Sequence, residues 1–398
     1  MKIGFVSPWF GWDIPGGAEA EMRELVLHLK ETGAKVEILT TCVEKFASDW
    51  NFNYYHEGNV VEHGITIRRF LVRKRNTEAF DRINYKLINS NVPITLEEEE
   101  IFLRENINSP QLYQYMEEHS NEYDYYVFIP YLFGTTYYGV QVAPEKSILI
   151  PCFHDESYFY LKHFQTVFSS VAAIVYNAEP ERRLAEKNYN LENVCQVVMG
   201  IGMETEVFGV PNRFRTKYGI NEEFVLYAGR KDAGKNVDVL LAYFAEYKRR
   251  NKNSIKLVMI GGGEIDIPES IRRDVCDLGF VPIQDKYDAC SAAIALCQPS
   301  SHESFSFVIM ESWLCGKPVL VSGQCEVTKD FAIQSNGGLY FDDYFEFEGA
   351  VNYLMDNKHI ADDMGRNGRV FVKDNFAWDV IVEKYLGFFE GLDSQKQI

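Results

Sequence analysis

Short apolar runs alternate with amphipathic stretches along most of the chain. The first apolar run covers residues 2–7 and predicts a β-strand. The stretch that follows has apolar residues at the spacing of one helix face, namely Met22, Leu25, Val26 and Leu29. Gly33 stands where helices commonly end in glycine, and a second apolar run covers 36–40. This order predicts a βαβ unit and therefore a pair of parallel strands.

The same alternation returns after residue 220. Apolar runs at 224–228 and 256–260 enclose a stretch of helical period, and shorter runs follow at 294–296, 319–321 and 339–341. Two halves of this kind predict an α/β protein with two doubly wound, parallel-sheet (Rossmann-like) domains.

Glycine and proline between residues 200 and 215 suit a hinge, and they place the boundary between the two halves. We therefore expect an N-terminal domain over 1–208 and a C-terminal domain over 209–375. Residues 45–125 interrupt the first half with an irregular, aromatic and charged segment. It is either a recognition region or a variable helical decoration, and the sequence leaves both open.

Composition narrows the class of protein. The 398 residues carry a formal charge of −18, which disfavours binding to nucleic-acid phosphates. The first residues read as a strand and not as a secretory leader, and no apolar stretch approaches the roughly 20 residues that span a bilayer. The eight cysteines form no CxxC pair and read as reduced thiols, so we expect a cytoplasmic protein.

The segment 299–311 carries the strongest chemical signal. Glu303 precedes an expected helix and Glu311 lies inside it, about 12 Å further along the axis. Between them, the backbone N–H groups of Ser306, Phe307 and Val308 would open the helix and suit a phosphate. Hydroxyl, phosphate and hydroxyl ligands in that order match a nucleotide-sugar. The alternative is a pair of ordinary surface glutamates.

A second group of candidate residues follows the run 224–228. Arg230 and Lys235 lie on the loop at the carboxyl end of that expected strand, where doubly wound sheets bind ligands. A guanidinium and an ammonium both suit a diphosphate, although loops of this kind often carry cations without any such role.

Taken together, these segments resemble the family-4 glycosyltransferases of the GT-B fold. The resemblance covers nearly the whole chain and is weakest over 45–125. The motifs that carry it, in chain order, are Pro15-Gly16-Gly17-Ala18-Glu19, His154-Asp155-Glu156, Gly229-Arg230 with Lys235, Gly279-Phe280-Val281, Pro299-Ser300 with Glu303 and Glu311, and Phe376-Ala377-Trp378.

The resemblance implies a GT-B architecture, in which the two domains face each other across a cleft, and it implies a donor site. Arg230 and Lys235 would bind the diphosphate, Glu311 the ribose hydroxyls and Glu303 the hydroxyls of the donor sugar. Val281 and its neighbours would flank the base.

The resemblance also implies roles for residues of the N-terminal half. Gly16 and Gly17 would let the backbone approach the transferred sugar and diphosphate, and His154 would lie beside the donor sugar. With His154, the residues Glu303, Arg230 and Lys235 form the expected catalytic set. Residues 376–398 would form a helix that crosses back to the N-terminal domain.

One departure from the family pattern concerns two serines. Ser304 and Ser306 stand where the family often has glycine. A serine keeps the N–H donors but restricts the backbone angles, which puts the detailed shape of the phosphate site in question.

The expected function is that of a retaining glycosyltransferase. It would move a hexose-type sugar from a nucleotide-diphosphate donor to a glycan, lipid-linked or small-molecule acceptor in cell-surface polysaccharide or glycoconjugate synthesis. We see no Asp-x-Asp motif at a strand end and expect neither a metal nor another cofactor. Alternatives are a nucleotide-sugar epimerase or phosphorylase of the same fold, and a non-catalytic sugar-nucleotide-binding or scaffold protein.

A basic run stands out in this acidic chain. Its cations are Arg68, Arg69, Arg73, Lys74 and Arg75. The run is either a contact for an anionic acceptor or the inner membrane face, or a strand edge with a solvated charged face, and we favour the strand edge. Further along, Thr95 and Glu98 predict a helix capping box.

Overall fold

The computed structural model describes residues 1–89 and 93–395. The predicted segments 45–125 and 376–398 therefore include a few residues outside the described part. Contacts divide the chain into two compact units. The first unit contains Met1–Ile201 together with the residues from Lys384 onwards, and the second is Gly202–Glu383.

An eight-stranded sheet forms the first unit. Its strands are β1 (Lys2–Ser7), β2 (Lys35–Thr41), β3 (Gly58–Glu62), β4 (Ile65–Phe70), β5 (Tyr125–Phe128), β6 (Ser147–Leu149), β7 (Ala173–Tyr176) and β8 (Cys195–Val198). Their order is β3-β4-β2-β1-β5-β6-β7-β8, and all neighbours are parallel except β3 with β4. The parallel sheet expected from the first βαβ unit is confirmed.

Helices connect these strands. They are α1 (Gly17–Glu31), α2 (Thr77–Asn89), α3 (Leu96–Arg104), α4 (Pro110–Glu118), α5 (Gly134–Gly139), α6 (Lys162–Phe168) and α7 (Glu179–Asn188). The apolar face expected on α1 is buried, and Gly33 follows its C-terminus with φ +90°. The capping box of Thr95 and Glu98 opens α3 as expected.

The segment 45–125 is more regular than the sequence indicated. It supplies β3 and β4, which extend the sheet beyond β2, and the helices α2, α3 and α4. Reading the whole segment as an irregular interruption was therefore wrong. The pattern misled because the buried positions of β4 include Arg69, so the alternation of apolar residues is broken.

The basic run is held inside the first unit, and it is not a strand edge, because β3 covers β4. Arg68 pairs with Glu37 at 2.8 Å, and Arg69 donates to the Phe10 carbonyl at 2.9 Å while its guanidinium lies over the Tyr55 ring. Arg73 and Arg75 likewise bond to the residues that end α3, Arg104 and Glu105. The structure thus explains most of this run by internal contacts.

A six-stranded sheet, parallel throughout, forms the second unit. Its strands are β9 (Phe224–Ala228), β10 (Lys256–Ile260), β11 (Val275–Asp277), β12 (Ala295–Gln298), β13 (Val319–Ser322) and β14 (Gly338–Phe341), in the order β11-β10-β9-β12-β13-β14. The expected doubly wound sheet is confirmed here as well.

Helices flank this second sheet. They are α8 (Pro211–Tyr218), α9 (Val237–Arg250), α10 (Ile283–Ala292), α11 (Phe307–Leu314), α12 (Glu326–Ser335), α13 (Tyr344–Asp356) and α14 (Lys358–Phe376), and α15 (Trp378–Gln395) starts in this unit.

The division between the units falls slightly earlier than the predicted 208/209. Residues 202–208 belong to the second unit because Gly202 packs directly against the Trp378 ring and the Met203 N–H donates to the Phe376 carbonyl at 2.7 Å. The second division falls inside α15, at 383/384 and not at 375/376. From there the helix belongs to the first unit, where Asp393 accepts a 2.6 Å hydrogen bond from the Tyr125 hydroxyl.

Two expectations from composition can be compared with the structure. All eight cysteines are free thiols. Over residues 1–89 and 93–395, no helix is both long and apolar enough to cross a membrane.

Candidate functional site

The candidate site of the second unit lies where the winding of its sheet reverses. From β9 the chain winds through β10 to β11 on one side, and it then returns to β12 on the other side of β9. In open parallel sheets, ligands bind beyond the carboxyl ends of the strands at such a point. The two loops that leave β9 and β12, residues 229–236 and 299–306, carry most of the residues that the sequence singled out.

Lys235 and Glu303 meet across these two loops. The Lys235 ammonium lies 2.7 Å from Glu303 Oε1, and the same oxygen accepts a 3.0 Å hydrogen bond from the Gln298 amide. A further bond, from the Asn236 amide to the Pro299 carbonyl at 3.2 Å, joins the loops. The structure thus brings together a cation and a carboxylate that are 68 residues apart in the chain.

Arg230 lies on the same loop with its guanidinium largely in solvent. Its side chain is 67% exposed and lies beside Asp232. The Arg230 carbonyl accepts a 2.5 Å hydrogen bond from the Tyr227 hydroxyl, which holds the backbone while the side chain stays accessible. Such a guanidinium can reach a phosphate oxygen without leaving a buried partner behind.

The expected helix after Glu303 is α11, which begins at Phe307. Ser306 is its N-cap, adopts φ +84° and makes no side-chain hydrogen bond to the first turn. Its side chain therefore leaves the N–H groups that open the helix uncapped. The positive φ shows that this serine occupies a backbone conformation that favours glycine, as the departure from the family pattern suggested.

Glu311 lies within α11 and is almost fully buried. Its Oε1 is 2.6 Å from the Lys286 ammonium, whereas its Oε2 is buried with no hydrogen-bond partner among the described residues. Burial raises the pKa of this carboxyl, and Lys286 acts in the opposite direction. A buried acceptor oxygen without a donor is costly, so Glu311 is suited to receive a donor from a ligand.

Lys286 was missed by the sequence analysis. It lies on α10, 25 residues before Glu311, and only the packing of α10 beside α11 brings the two together. The sequence contains no local signal for this pair, since lysines are common on exposed helix faces.

Val281 follows β11 at the edge of the sheet. The turn before it is fixed by hydrogen bonds from the Gly279 N–H to the Asp277 carboxylate at 3.1 Å and from the Gly261 N–H to the Gly279 carbonyl at 2.8 Å. The neighbouring Phe280 is 84% exposed. Val281 itself is half-buried.

Gly16, Gly17 and His154 lie in the first unit, at the carboxyl edge of its sheet. Gly16 precedes α1 with φ +147°, and a side chain there would overlap the Glu19 carboxylate. Gly17 is the first residue of the helix. The loop before them is held by a 2.7 Å hydrogen bond from the Trp9 indole to Glu19.

His154 lies on the segment after β6, half-buried. Its Nδ1 is 3.6 Å from Glu156 Oε1, and Glu156 also accepts a 2.9 Å hydrogen bond from the Tyr131 hydroxyl. The preceding N–H, that of Phe153, donates to the Glu181 carboxylate at 2.7 Å.

A buried polar cluster is hydrogen-bonded to this segment through the Phe153 N–H, and the sequence did not predict it. Glu181 accepts the N–H groups of Phe153 and Asn177, both at 2.7 Å, and the Asn177 amide donates to Glu21 Oε2 at 3.1 Å. Burial raises the pKa of Glu21 to about 8 and that of Glu181 to about 7. Because Glu181 accepts two backbone N–H groups while Glu21 Oε1 is unpartnered among the described residues, we expect Glu21 to keep its proton to higher pH than Glu181 does.

No group of three or more His, Cys, Asp or Glu side chains in residues 1–89 and 93–395 is arranged to hold a metal ion. The expected metal independence remains a prediction.

Similarity to solved structures defines the fold. Sucrose-phosphate synthase from Thermosynechococcus elongatus superimposes with a TM-score of 0.70 at 16% identity and covers 99% of both chains. HepE from Anabaena in complex with UDP gives a TM-score of 0.71 at 15% identity over 98% of this chain and 100% of that one. The protein therefore has the GT-B fold.

Sequence similarity to a known family is found in the second unit. Residues 211–371 match the family model described as glycosyl transferases group 1. The D-inositol 3-phosphate glycosyltransferase of Acidothermus cellulolyticus is 28% identical over 247 residues, which are 56% of this chain and 54% of that enzyme. The chain thus spans about half the length of the curated relatives it matches. The second unit thus matches the group 1 glycosyltransferase model, and the resemblance to the family-4 enzymes is confirmed.

Proposed function

We propose that the protein is a retaining, metal-independent glycosyltransferase. It transfers a hexose-type sugar from a nucleotide-diphosphate donor to a glycan, lipid-linked or small-molecule acceptor in cell-surface polysaccharide or glycoconjugate synthesis. The observation that carries the proposal is the group of complementary charges at the winding reversal of the second unit. There, the exposed Arg230, the Lys235–Glu303 pair and the buried, unpartnered oxygen of Glu311 occupy neighbouring elements.

The donor would bind along these elements. Arg230, Lys235 and the N–H groups of Ser306, Phe307 and Val308 would hold the diphosphate. Glu311 Oε2 would accept the ribose hydroxyls, which supplies the donor that this oxygen lacks. Glu303 would bind hydroxyls of the sugar, and the turn at Val281 would flank the base.

The proposed chemistry stabilises the leaving group. When the bond to the anomeric carbon breaks, negative charge builds on the nucleotide diphosphate. Arg230, Lys235 and the opening amides of α11 are placed to stabilise that charge by preorganised electrostatics. The acceptor hydroxyl oxygen bonds to the anomeric carbon on the face that the diphosphate leaves, and the departing phosphate oxygen takes the hydroxyl proton. The configuration at the anomeric carbon is therefore retained.

We also propose roles for three residues of the first unit. Gly16 and Gly17 leave the backbone bare at the start of α1, which suits close approach of the sugar and diphosphate. His154 would lie beside the donor sugar. We propose that this unit binds the acceptor. We also propose that the protein is cytoplasmic, because none of its eight cysteines forms a disulfide.

Two relatives inform the choice of probes. The relative from Acidothermus cellulolyticus is named D-inositol 3-phosphate glycosyltransferase, and HepE is solved with UDP and with UDP-glucose. These names support a nucleotide-sugar donor and make UDP the first nucleotide to test. A peripheral contact with the inner membrane face through the basic run would rely chiefly on Lys74, the residue of the run that is exposed.

A nucleotide screen followed by a turnover assay tests the proposal. We expect one of UDP, GDP, ADP and dTDP to raise the melting temperature by mass action. The matching nucleotide-sugar should then be consumed in the presence of an acceptor, and Lys235→Ala and Glu311→Gln should lower donor affinity or turnover while the protein stays folded. Wild-type activity in both variants would contradict the site assignment.

Three controls separate the other functions. Activity should persist in EDTA, and its complete loss would contradict metal independence. Conversion of the donor sugar without any acceptor would indicate an epimerase, and dependence on free phosphate a phosphorylase. Binding without turnover would indicate a sugar-nucleotide-binding protein.

A further inference from the structure

We propose that the ion pair between the buried Lys231 and the partly exposed Asp277 is a positioning element that sets the selectivity of the donor site for its base. It would do so by holding the diphosphate loop (residues 229–236) and the base loop (residues 277–281) in one fixed arrangement. The inference rests on the proposed function and adds residues to which that function assigns no role.

Lys231 is an unusual residue for this place in the chain. Its side chain is 3% exposed, whereas its neighbours Arg230 and Asp232 are 67% and 37% exposed. Its ammonium lies 2.5 Å from Asp277 Oδ1. Lysine is rarely buried without a partner, and here only the ammonium leaves water, because the Asp277 side chain is 30% exposed. The cost of burying the ammonium offsets much of the attraction, so the pair contributes little net stability. A role in fixing local geometry accounts for a pair that stability alone does not require.

The pair joins two strands that do not touch each other. Lys231 follows β9 and Asp277 ends β11, and β10 lies between these strands in the sheet. No ladder hydrogen bond can therefore fix one loop relative to the other. The Lys231 side chain makes this link directly, across the end of β10.

Backbone contacts extend the link to the glycine loop after β10. The Lys231 N–H donates to the Gly262 carbonyl at 2.7 Å, and the Gly261 N–H donates to the Gly279 carbonyl at 2.8 Å. Side chains do not fit here, because a Cβ on Gly263 would lie 2.5 Å from the Lys231 carbonyl oxygen. The loops after β9, β10 and β11 thus form one closely packed layer.

Each end of the layer carries a proposed donor contact. On one side, Arg230 immediately precedes Lys231. On the other side, Asp277 Oδ1 accepts the Gly279 N–H at 3.1 Å, and Val281 follows two residues later. The ion pair therefore fixes the distance from the diphosphate contact to the base contact. Selectivity between bases depends on this distance, because small displacements of a recognition loop weaken the correct base most.

The test is a comparison of Lys231→Met with the wild-type protein by calorimetric titration of UDP, GDP, ADP and dTDP. In the variant, the nucleotide that binds most tightly should lose more affinity than the other nucleotides do. We therefore expect the ratio of dissociation constants between the second-best and the best nucleotide to fall by about tenfold. Lys231→Arg, which keeps the charge, should restore part of the ratio.

Lys256→Met is the matched control. Lys256 pairs with Asp274 at 3.5 Å where β10 and β11 begin, at the end of the strands that lies away from the site. The substitution therefore removes an ion pair that joins the same two strands but is distant from the donor site. Its nucleotide selectivity should equal that of the wild-type protein. If Lys231→Met does not fold by circular dichroism, the double variant Lys231→Met/Asp277→Leu replaces it, since it leaves neither charge unpaired.

The outcomes distinguish the two proposals. An unchanged ratio in the variant, or an equal loss for all four nucleotides, would overturn the positioning role and leave the proposed function intact. Equal binding of all four nucleotides by the wild-type protein would also overturn it, because there would be no selectivity to set. Failure of the wild-type protein to bind any nucleotide would instead contradict the proposed function itself.

Discussion

Glu311 shows at the scale of one residue how the site is prepared for a ligand. One carboxylate oxygen is held by Lys286, and the other is buried without a donor among the described residues. A ligand hydroxyl would satisfy that oxygen, and hydrogen bonds to charged groups contribute about 1.5–3 kcal/mol. The account therefore assigns the ribose to this residue and the sugar to Glu303.

This assignment predicts a specific loss with dideoxynucleotides. We take the nucleoside diphosphate that stabilises the protein most and compare it with its 2′,3′-dideoxy analogue by calorimetry. The wild-type protein should bind the analogue roughly 10- to 100-fold more weakly, and Glu311→Gln should reduce this difference to a few-fold. Glu303→Gln should keep the difference, because its carboxylate is assigned to the sugar. An undiminished difference in Glu311→Gln would refute the ribose role.

Glu21 gives a prediction about pH and stability. Burial raises its pKa to about 8 from the ordinary value of 4.5, and the nearby Glu181 carboxyl group also raises it. At a pH between these two pKa values, the Glu21 carboxyl group has lost its proton in the unfolded chain but keeps it in the folded chain. The free energy of unfolding therefore falls as the pH rises. Glu21→Gln removes this contribution, and its free energy of unfolding should fall by about 3 kcal/mol less than that of the wild-type protein between pH 5 and pH 8.

Urea denaturation at pH 5, 6.5 and 8 measures this effect. The control is Glu24→Gln on the same helix, where the carboxyl is exposed and the pH dependence should stay as in the wild-type protein. If Glu21→Gln has the same slope with pH as the wild type, another group holds the proton.

At this scale, the sequence indicated the candidate site residues but not the side chains that contact them in the fold. Lys235, Glu303 and Glu311 lie in motifs with recognisable spacing, and the structure places them on neighbouring elements at the winding reversal. Lys286 and the Glu21–Glu181 cluster could not be found, because their contacts depend on which helices and loops pack together. A buried glutamate and an exposed one look alike in a sequence.

Among the secondary-structure elements, α11 shows the effect of the serine that departs from the family pattern. Ser306 adopts φ +84° as the N-cap of this helix, a conformation that is strained for any residue with a Cβ. Glycine relieves this strain, although it also loses more conformational freedom on folding.

Ser306→Gly should therefore stabilise the protein by about 1 kcal/mol in urea denaturation. Ser304→Gly is the control, because Ser304 is not among the residues with positive φ. Glycine at this position only adds conformational entropy to the unfolded chain, so the substitution should destabilise the protein slightly. Equal effects of both substitutions would show that backbone strain at Ser306 is not the cause.

Prediction of elements succeeded where apolar periodicity was intact. The strands at 2–7, 224–228 and 256–260 match β1, β9 and β10, since every core position there is apolar. Strand β3 was missed, and β4 was expected only as a strand edge at the basic run, for two reasons. All residues of β3 are exposed, and β4 buries an arginine over an aromatic ring, so neither strand has the usual alternation.

At the scale of the whole molecule, the chain consists of two units that each repeat the same construction. The repeated alternation of strands and helices was sufficient to predict two parallel sheets. It was not sufficient for the boundaries, because the assignment of residues 202–208 depends on the packing of Gly202 against Trp378, which is 176 residues away in the chain.

Hydrogen–deuterium exchange of the full chain tests the central claim, that the second unit binds a nucleotide diphosphate at its winding reversal. Exchange is measured with and without the nucleotide that raises the melting temperature most. The account predicts slower exchange at residues 229–236, at 277–281 and at the amides that open α11, and unchanged exchange at the opposite, amino-terminal ends of β9 and β12. Protection that leaves these three segments unchanged, in a protein that binds the nucleotide, would contradict it.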